Sequence, residues 1–415
     1  MASKLTFGTG FTDLREGINV TRMREERAGR MKQVMKQQGV PVVLVTWEPN
    51  VRYLTGFSWS EFAPFLSYAL FFAEHDPIIF AHAGSYQQMP DQLPWIKHWR
   101  IARCWLWGIC GPEAMREEAS LFAKEIREEL QARGLAGEKL GVIGFDDVAR
   151  EGLNEAGLTV VEAWPLLLEA SKIKNQDEIN CFKMVSSICS TGFQRVIDDF
   201  RIGITVSALR RSVMDAMTDA GAEFASCNIQ SGPFAFERNA TYLDRRIEYG
   251  DMMNVPLCGT KYLGYPCCLY RCFIAGRKPT AKEKDWYDRV KNSLDVCIEA
   301  TKVGNTTADA AKAFPPASSW GYKDEVEVLT VEYGHGLGMP VQAGCRVPYG
   351  LPVINRQWSL KHPQPFEKGM IIAYESLEGE HRVNGARIED MVVVTDDGCE
   401  VLDHFPRDEI IPVGV

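Results

Sequence analysis

The order of the element signals changes once along this 415-residue chain, near residue 170, and that change limits the fold more than any single motif. Before it, helix and strand signals alternate. Residues 21–38 place Met23, Met31, Val34 and Met35 near one helical face, and Gly39 ends the run. The β-branched run at 40–46 follows, then "SYALFFAE" and "PIIFAH" on either side of a turn at His75 and Asp76. A charged helix at 112–133, a strand "KLGVIGF" and a helix near 147–156 complete an α/β layer. After residue 170 the signals come in blocks. Helices at 175–200 and 205–220 precede strands expected at 224–231, 245–257 and 262–275. A further helix starts at Thr280, whose hydroxyl forms a capping box with Glu283. Strands return around His335, at "GMIIAYES" and at "ARIEDMVVVT". Blocks of helices and blocks of strands indicate an α+β domain with a largely antiparallel sheet. The reading is therefore two domains, 1–170 and 171–415, in a chain long enough for two cores.

Composition narrows the partners. A net charge of −9 opposes binding to a nucleic-acid polyanion, which needs a basic surface, so a small-molecule substrate is expected. No apolar run approaches the roughly 18 residues that span a bilayer, and the N-terminus lacks a signal-peptide pattern, so a cytoplasmic protein without membrane contact is expected. The 12 cysteines then read as reduced thiols. Four of them crowd into "LCGTKYLGYPCCLYRCF", at Cys258, Cys267, Cys268 and Cys272. Their spacing matches no common zinc pattern. Strand alternation puts Cys268, Tyr270 and Cys272 on one face and Cys267, Leu269, Arg271 and Phe273 on the other.

Ionisable groups on inward strand positions are the informative ones. In "GMIIAYES", Ile371, Ala373 and Glu375 share a face; in "GARIEDMVVV", Arg387, Glu389, Met391 and Val393 share one. "YGHGLG" brackets His335 with glycines, which lets the backbone approach another group closely. A lone glutamate at a strand end usually reaches solvent, and a lone histidine is usually structural. Two such strands and this turn together point to a site.

The ordered segments "SGPFAFERNATYLDRRIEYGDMMNVPL", "YLGYPCCLYRCF", "VEYGHGLG", "PFEKGMIIAYES" and "GARIEDMVVVTDDG" resemble the pita-bread catalytic domain of the creatinase, aminopeptidase P and methionine aminopeptidase family. "VVLVTWEPNVRYLTGF" and "ASKIKNQDEI" resemble its N-terminal α/β domain and linker. In the metallopeptidases of that family two metals are held by two aspartates, a histidine and two glutamates. The resemblance maps the histidine to His335 and the glutamates to Glu375 and Glu389; the aspartates fall at Pro256 or Leu257 and at or beside Cys268. Neither proline nor leucine can ligate a cation, so a dinuclear peptidase is not expected. Asn239 and Gln342 stand where two further family histidines would be, and Tyr270 or Leu269 where creatinase has a substrate-binding glutamate. The resemblance also implies a homodimer in which one chain's aromatic loop "GFSWSEFAPFLSY", with Trp59 and Phe62, covers the other's site.

Three readings follow. The first resembles creatinase and ectoine hydrolase: C–N bond hydrolysis in a small molecule without metal or cofactor. Glu375 and Glu389 would meet as like charges, one staying protonated, with His335 positioning water. Asn239, Cys268, Tyr270, Gln342, Arg387, Trp59 and Phe62 would contact substrate. The second is a peptidase or lyase with one zinc or iron on Cys268, His335, Glu375 and Glu389. The third is a binding protein that kept the fold and lost catalysis.

Overall fold

The computed structural model describes residues 17–59, 67–237, 242–328, 332–342 and 349–415. They fall into two compact units: Val20–Ser171 with a short segment from Met339, and Lys172–Gly338 with Tyr349–Val415.

In the first unit the helix α1 (Val20–Gln38) leads into β1 (Val42–Thr46) and a helix α2 (Glu48–Thr55). The strands β2 (Tyr68–Phe72), β3 (Ile78–Ala81), β4 (His98–Ile101), β5 (Lys139–Ile143) and β6 (Thr159–Glu162) follow. They form a six-stranded sheet in the order β4-β3-β2-β1-β5-β6. It is mixed: β1 and β2 run antiparallel, β1 and β5 parallel. Phe122 and Ile126 of the helix α3 (Trp107–Gln131) lie in one buried cluster with Leu44, Tyr68 and Leu70 of the strands. The helix expected at 112–133 thus starts earlier, with a kink at Gly111, whose φ of 78° only glycine adopts readily. The helix α2 was not expected from sequence. Its signals were Pro49 in the first turn and Gly56 as a left-handed cap.

The second unit opens with two helices, α4 (Gln176–Asp199) and α5 (Val206–Asp219). Its strands are β7 (Gln230–Ser231), β8 (Met252–Pro256), a small hairpin β9 (Lys261–Tyr262) and β10 (Tyr265–Pro266), and β11 (Tyr270–Ala275). They continue as β12 (Glu332–Gly336), β13 (Gly350–Ile354), β14 (Ile371–Glu380), β15 (Asn384–Val394), β16 (Cys399–Val401) and β17 (Ile411–Val413). The main sheet runs β13-β12-β14-β15-β11-β8-β7, with β16 on β15 and β17 on β11. All its pairs are antiparallel except β11 with β17. The run expected at 262–275 is broken because Gly264 turns with φ 82° and Pro266 has no N–H for a ladder. The strand expected at 245–257 begins only at Met252. Before it, Gly250 takes φ 89° and the Asp251 carboxylate accepts from the Glu248 N–H, making a turn.

The helix α6 (Ala281–Ala300) backs this sheet. Trp286, Tyr287, Val290 and Leu294 are buried in one cluster with Ile372 and Tyr374 of β14 and Ile388 and Val392 of β15. Each such side chain contributes roughly 1.5–3 kcal/mol on burial. Because Ile372 and Tyr374 belong to that core, alternation turns Ala373 and Glu375 to the opposite face. The helix therefore decides which face carries the site.

Candidate active site

Strand register brings the site together. Tyr333 of β12 pairs with Glu375 of β14, Glu375 with Glu389 of β15, Glu389 with Tyr270 of β11, and Tyr270 with Pro256 of β8. One row across five strands thus carries both glutamates. His335 lies two residues beyond Tyr333, opposite Ala373. A Cβ on Gly336 would collide with the Leu351 carbonyl, so glycine there lets β13 close on β12 beside the histidine.

His335, Glu375 and Glu389 are at most 2% exposed. Glu375 is ion-paired with the Arg387 guanidinium, which also stacks 4.1 Å from the centre of the Tyr270 ring. Burial opposes the Arg387 charge, but the fields of Glu375, Tyr270 and Glu389 outweigh it and hold the pKa above its ordinary value. Expecting Glu375 and Glu389 to form an isolated like-charged pair is therefore corrected. A cation, the Arg387 guanidinium, sits on Glu375. Burial, eased by Arg387, also raises Tyr270 well above the usual phenol range.

Glu389 uses its two oxygens differently. The Cys258 thiol donates to Oε2 at 3.1 Å. Oε1 has no hydrogen-bond partner among the described residues and lies 3.8 Å from His335 Nε2. His335 Nδ1 is 3.1 Å from the Gly336 carbonyl. A carbonyl only accepts, so Nδ1 carries a proton, and in the neutral ring Nε2 presents a lone pair. Two acceptors then face one another across 3.8 Å, the separation that a water donating to both would span.

Cys258 is the residue that sequence reasoning missed. β8 ends at Pro256, but the Leu257 N–H donates to the Leu269 carbonyl at 3.0 Å and the Gly259 N–H to the Cys267 carbonyl at 2.9 Å. These bonds put Cys258 directly opposite Cys268. The sulfurs of both and a Glu389 carboxylate oxygen lie within 4.8 Å of one another. Hairpin register was the missing signal: once Leu257 faces Leu269, Cys258 must face Cys268. The other two cysteines go elsewhere. Cys267 meets Cys189 of α4 at 3.0 Å, and Cys272 joins the apolar cluster under α6. Burial pushes the Cys258 thiol up to about 12 and Cys268 well above its ordinary range.

Four further residues were expected to contact substrate. Asn239 and Phe62 fall outside the described residues. Trp59 and Gln342 belong to the first unit, where Trp59 stacks on Phe57 at 5.2 Å and Gln342 is exposed.

The Creatinase/Prolidase N-terminal domain family matches residues 27–149, and Metallopeptidase family M24 matches residues 180–396, more than half of the chain. The chain belongs to metallopeptidase family M24. M24 membership places it among hydrolases of C–N bonds, the kind of bond a peptidase opens. One relative, an uncharacterized peptidase of Bacillus subtilis, YqhT, is 24% identical over 394 residues, covering 92% of this chain and 99% of that one. A Xaa-Pro dipeptidase of Pyrococcus horikoshii is 23% identical over 93% of this chain and 99% of its own. Among solved structures, a Xaa-Pro dipeptidase from Bacillus anthracis aligns at a TM-score of 0.74 and 20% identity, over 94% of this chain and all of that one. A prolidase from Thermococcus sibiricus aligns at 0.75 and 22%, over 94% and 99%. The architecture is thus the family's: an N-terminal creatinase-like α/β domain and a C-terminal pita-bread domain. The named relatives are dipeptidases and prolidases, so kinship with metal-free members in particular is not what these matches carry.

The M24 name implies metal, and the residues answer in part. A pair of ions on five hard ligands does not fit, because Pro256 and Leu257 offer no ligand atom and Glu375 is engaged by Arg387. One ion fits the two sulfurs and Glu389.

Proposed function

We propose that this protein hydrolyses a C–N bond of the amide type in a small substrate that carries a carboxylate, a dipeptide or an N-acyl amino acid being the class. The observation that carries this reading is Arg387. The residue is 1% exposed, and Nε and Nη1 have no acceptor among the described residues, while Nη2 serves Glu375. Leaving a buried donor unmet costs about 1–3 kcal/mol, and an anionic oxygen of the substrate would remove that cost.

With the carboxylate on Arg387, the scissile amide would reach the space beside Glu389 and His335. Water held between Glu389 Oε1 and His335 Nε2 has its lone pair free for the carbonyl carbon. Glu389 takes the water's proton as the C–O bond forms and returns it to the nitrogen as the C–N bond breaks, giving an acid and an amine. A divalent ion on Cys258, Cys268 and Glu389 would polarise the carbonyl or the water. The Tyr270 ring fixes the plane of Arg387, and so the angle at which a carboxylate is received.

Xaa-Pro dipeptides, N-acyl amino acids and their C-terminal amides test the reading. The acids are expected to be cleaved and the amides not. Arg387→Lys is expected to raise KM for the acids, and Glu389→Gln to lower kcat by about 10²- to 10⁴-fold with the fold kept. An Arg387→Lys enzyme that keeps the wild-type KM and still refuses amides would refute the role of Arg387; absence of turnover on the whole panel would refute the function.

A further inference from the structure

We infer that Cys258, Cys268 and Glu389 form a site for one thiophilic divalent cation of the zinc class, with its fourth position open toward His335. The inference stands on these side chains, not on the hydrolysis proposed above.

Cys258 and Cys268 are directly opposite in the hairpin, and both N–H···O bonds flanking them belong to neighbouring residues. The Cys268 N–H points away from β8, toward Met391 Sδ at 3.3 Å. Such a non-hydrogen-bonded pair brings side chains closer than any other antiparallel position. The Glu389 carboxylate, buried at 0% exposure on the neighbouring strand, completes the group with Oε2 on the thiol side. The three ligand atoms all lie within 4.8 Å of one another. Zinc bonds of about 2.0–2.3 Å to oxygen and sulfur need only a modest contraction from there.

The charge and the proton inventory agree. A cation replaces the thiol protons, so binding releases two protons as two metal–sulfur bonds form. Glu389 adds the third negative charge. Glu375 stays out because Arg387 already neutralises it. His335 is also outside the three-atom group; its Nε2 faces Oε1, the oxygen that the thiols do not use. Three protein ligands and an open position are the pattern of a catalytic rather than a structural zinc. Two sulfurs select a soft ion over manganese or magnesium, which prefer oxygen.

The test is made on full-length protein purified under reductant without added metal. Elemental analysis is expected to give one zinc or iron per chain, and chelation followed by cobalt(II) to give a thiolate-to-cobalt charge-transfer absorption in the near ultraviolet. Cys258→Ser and Cys268→Ser should each remove about half of that absorption and weaken the ion, while Glu375→Gln and His335→Gln should keep one ion per chain. Two ions per chain, no thiolate absorption in the wild-type protein, or loss of the ion in Glu375→Gln or His335→Gln would overturn the assignment. The wild-type spectrum decides even where a cysteine variant fails to fold. Stoichiometry and spectrum are read apart from turnover, so this site can fail while hydrolysis stands, and the reverse.

Discussion

Arg387 changes what Glu375 can do. A glutamate 2% exposed and opposite another glutamate faces a like charge; with a guanidinium on it, it becomes a structural partner that fixes Arg387 in turn. Removing one partner of such a pair leaves a buried charge, which costs about 3–5 kcal/mol, whereas replacing both by apolar groups is often near neutral. Arg387→Met is therefore expected to lower the urea midpoint sharply, and Arg387→Met with Glu375→Leu to recover most of the loss. If the double variant is no more stable than the single, the pair is not what holds Glu375. At this scale the sequence was informative about faces and silent about reach. Alternation placed Arg387 and Glu389 together, and both glutamates do meet across β14 and β15. Which way a long, flexible side chain runs from its strand is decided by its neighbours, here Glu375 on one side and the Tyr270 ring on another.

The start of α6 ties the helix to the strands that carry the site. Glu283 closes the capping box read from the sequence: its carboxylate accepts from the Thr280 N–H, and its own N–H bonds the Thr280 hydroxyl. It also pairs with Arg277 and accepts from Asn384 Nδ2, while Asn384 Oδ1 accepts from the Met252 N–H. One carboxylate thus links α6, β15 and β8. Burial works to raise its pKa, but Arg277 and Thr280 prevail and hold it at about 2. A carboxyl whose folded value lies below its ordinary 4.5 stabilises above that value. That stability is lost as pH falls from 4.5 toward 2. Glu283→Gln is expected to cost about 2 kcal/mol at neutral pH and to flatten the loss of stability across that acid window, as read from urea midpoints. Equal acid sensitivity in the variant would assign the effect to another group. The cap was legible because it is local, four residues long, and made of one hydroxyl and one carboxylate. The hairpin of Cys258 and Cys268 was not, because its register depends on Gly259 at φ 88° and on bonds between residues eight and twelve positions apart.

Across the whole molecule, the switch from alternation to blocks identified an α/β layer and then a largely antiparallel sheet; the first sheet is mixed, and α6 backs the second. A short helix such as Glu48–Thr55 escaped, since eight residues, little more than two turns, carry too little periodicity to show. Among the described residues no helix is long and apolar enough to cross a membrane, and none of the 11 described cysteines is in a disulfide. Reduced thiols matter most at the opposed pair. Strand positions of that kind hold their Cα atoms about 4.5 Å apart, within the range from which a disulfide closes. An oxidised low-molecular-weight disulfide would therefore compete with the proposed cation for the same two sulfurs. Exchange would take two electrons from the thiols, leave the reagent as two thiols, and empty the site. Bound metal and turnover are expected to fall together in oxidised glutathione and to return with reductant and added ion. If they are retained while a Cys258–Cys268 link is seen by mass spectrometry, the sulfurs do not hold the ion. The same geometry that gathers ligands would thus confine the protein's chemistry to reducing surroundings.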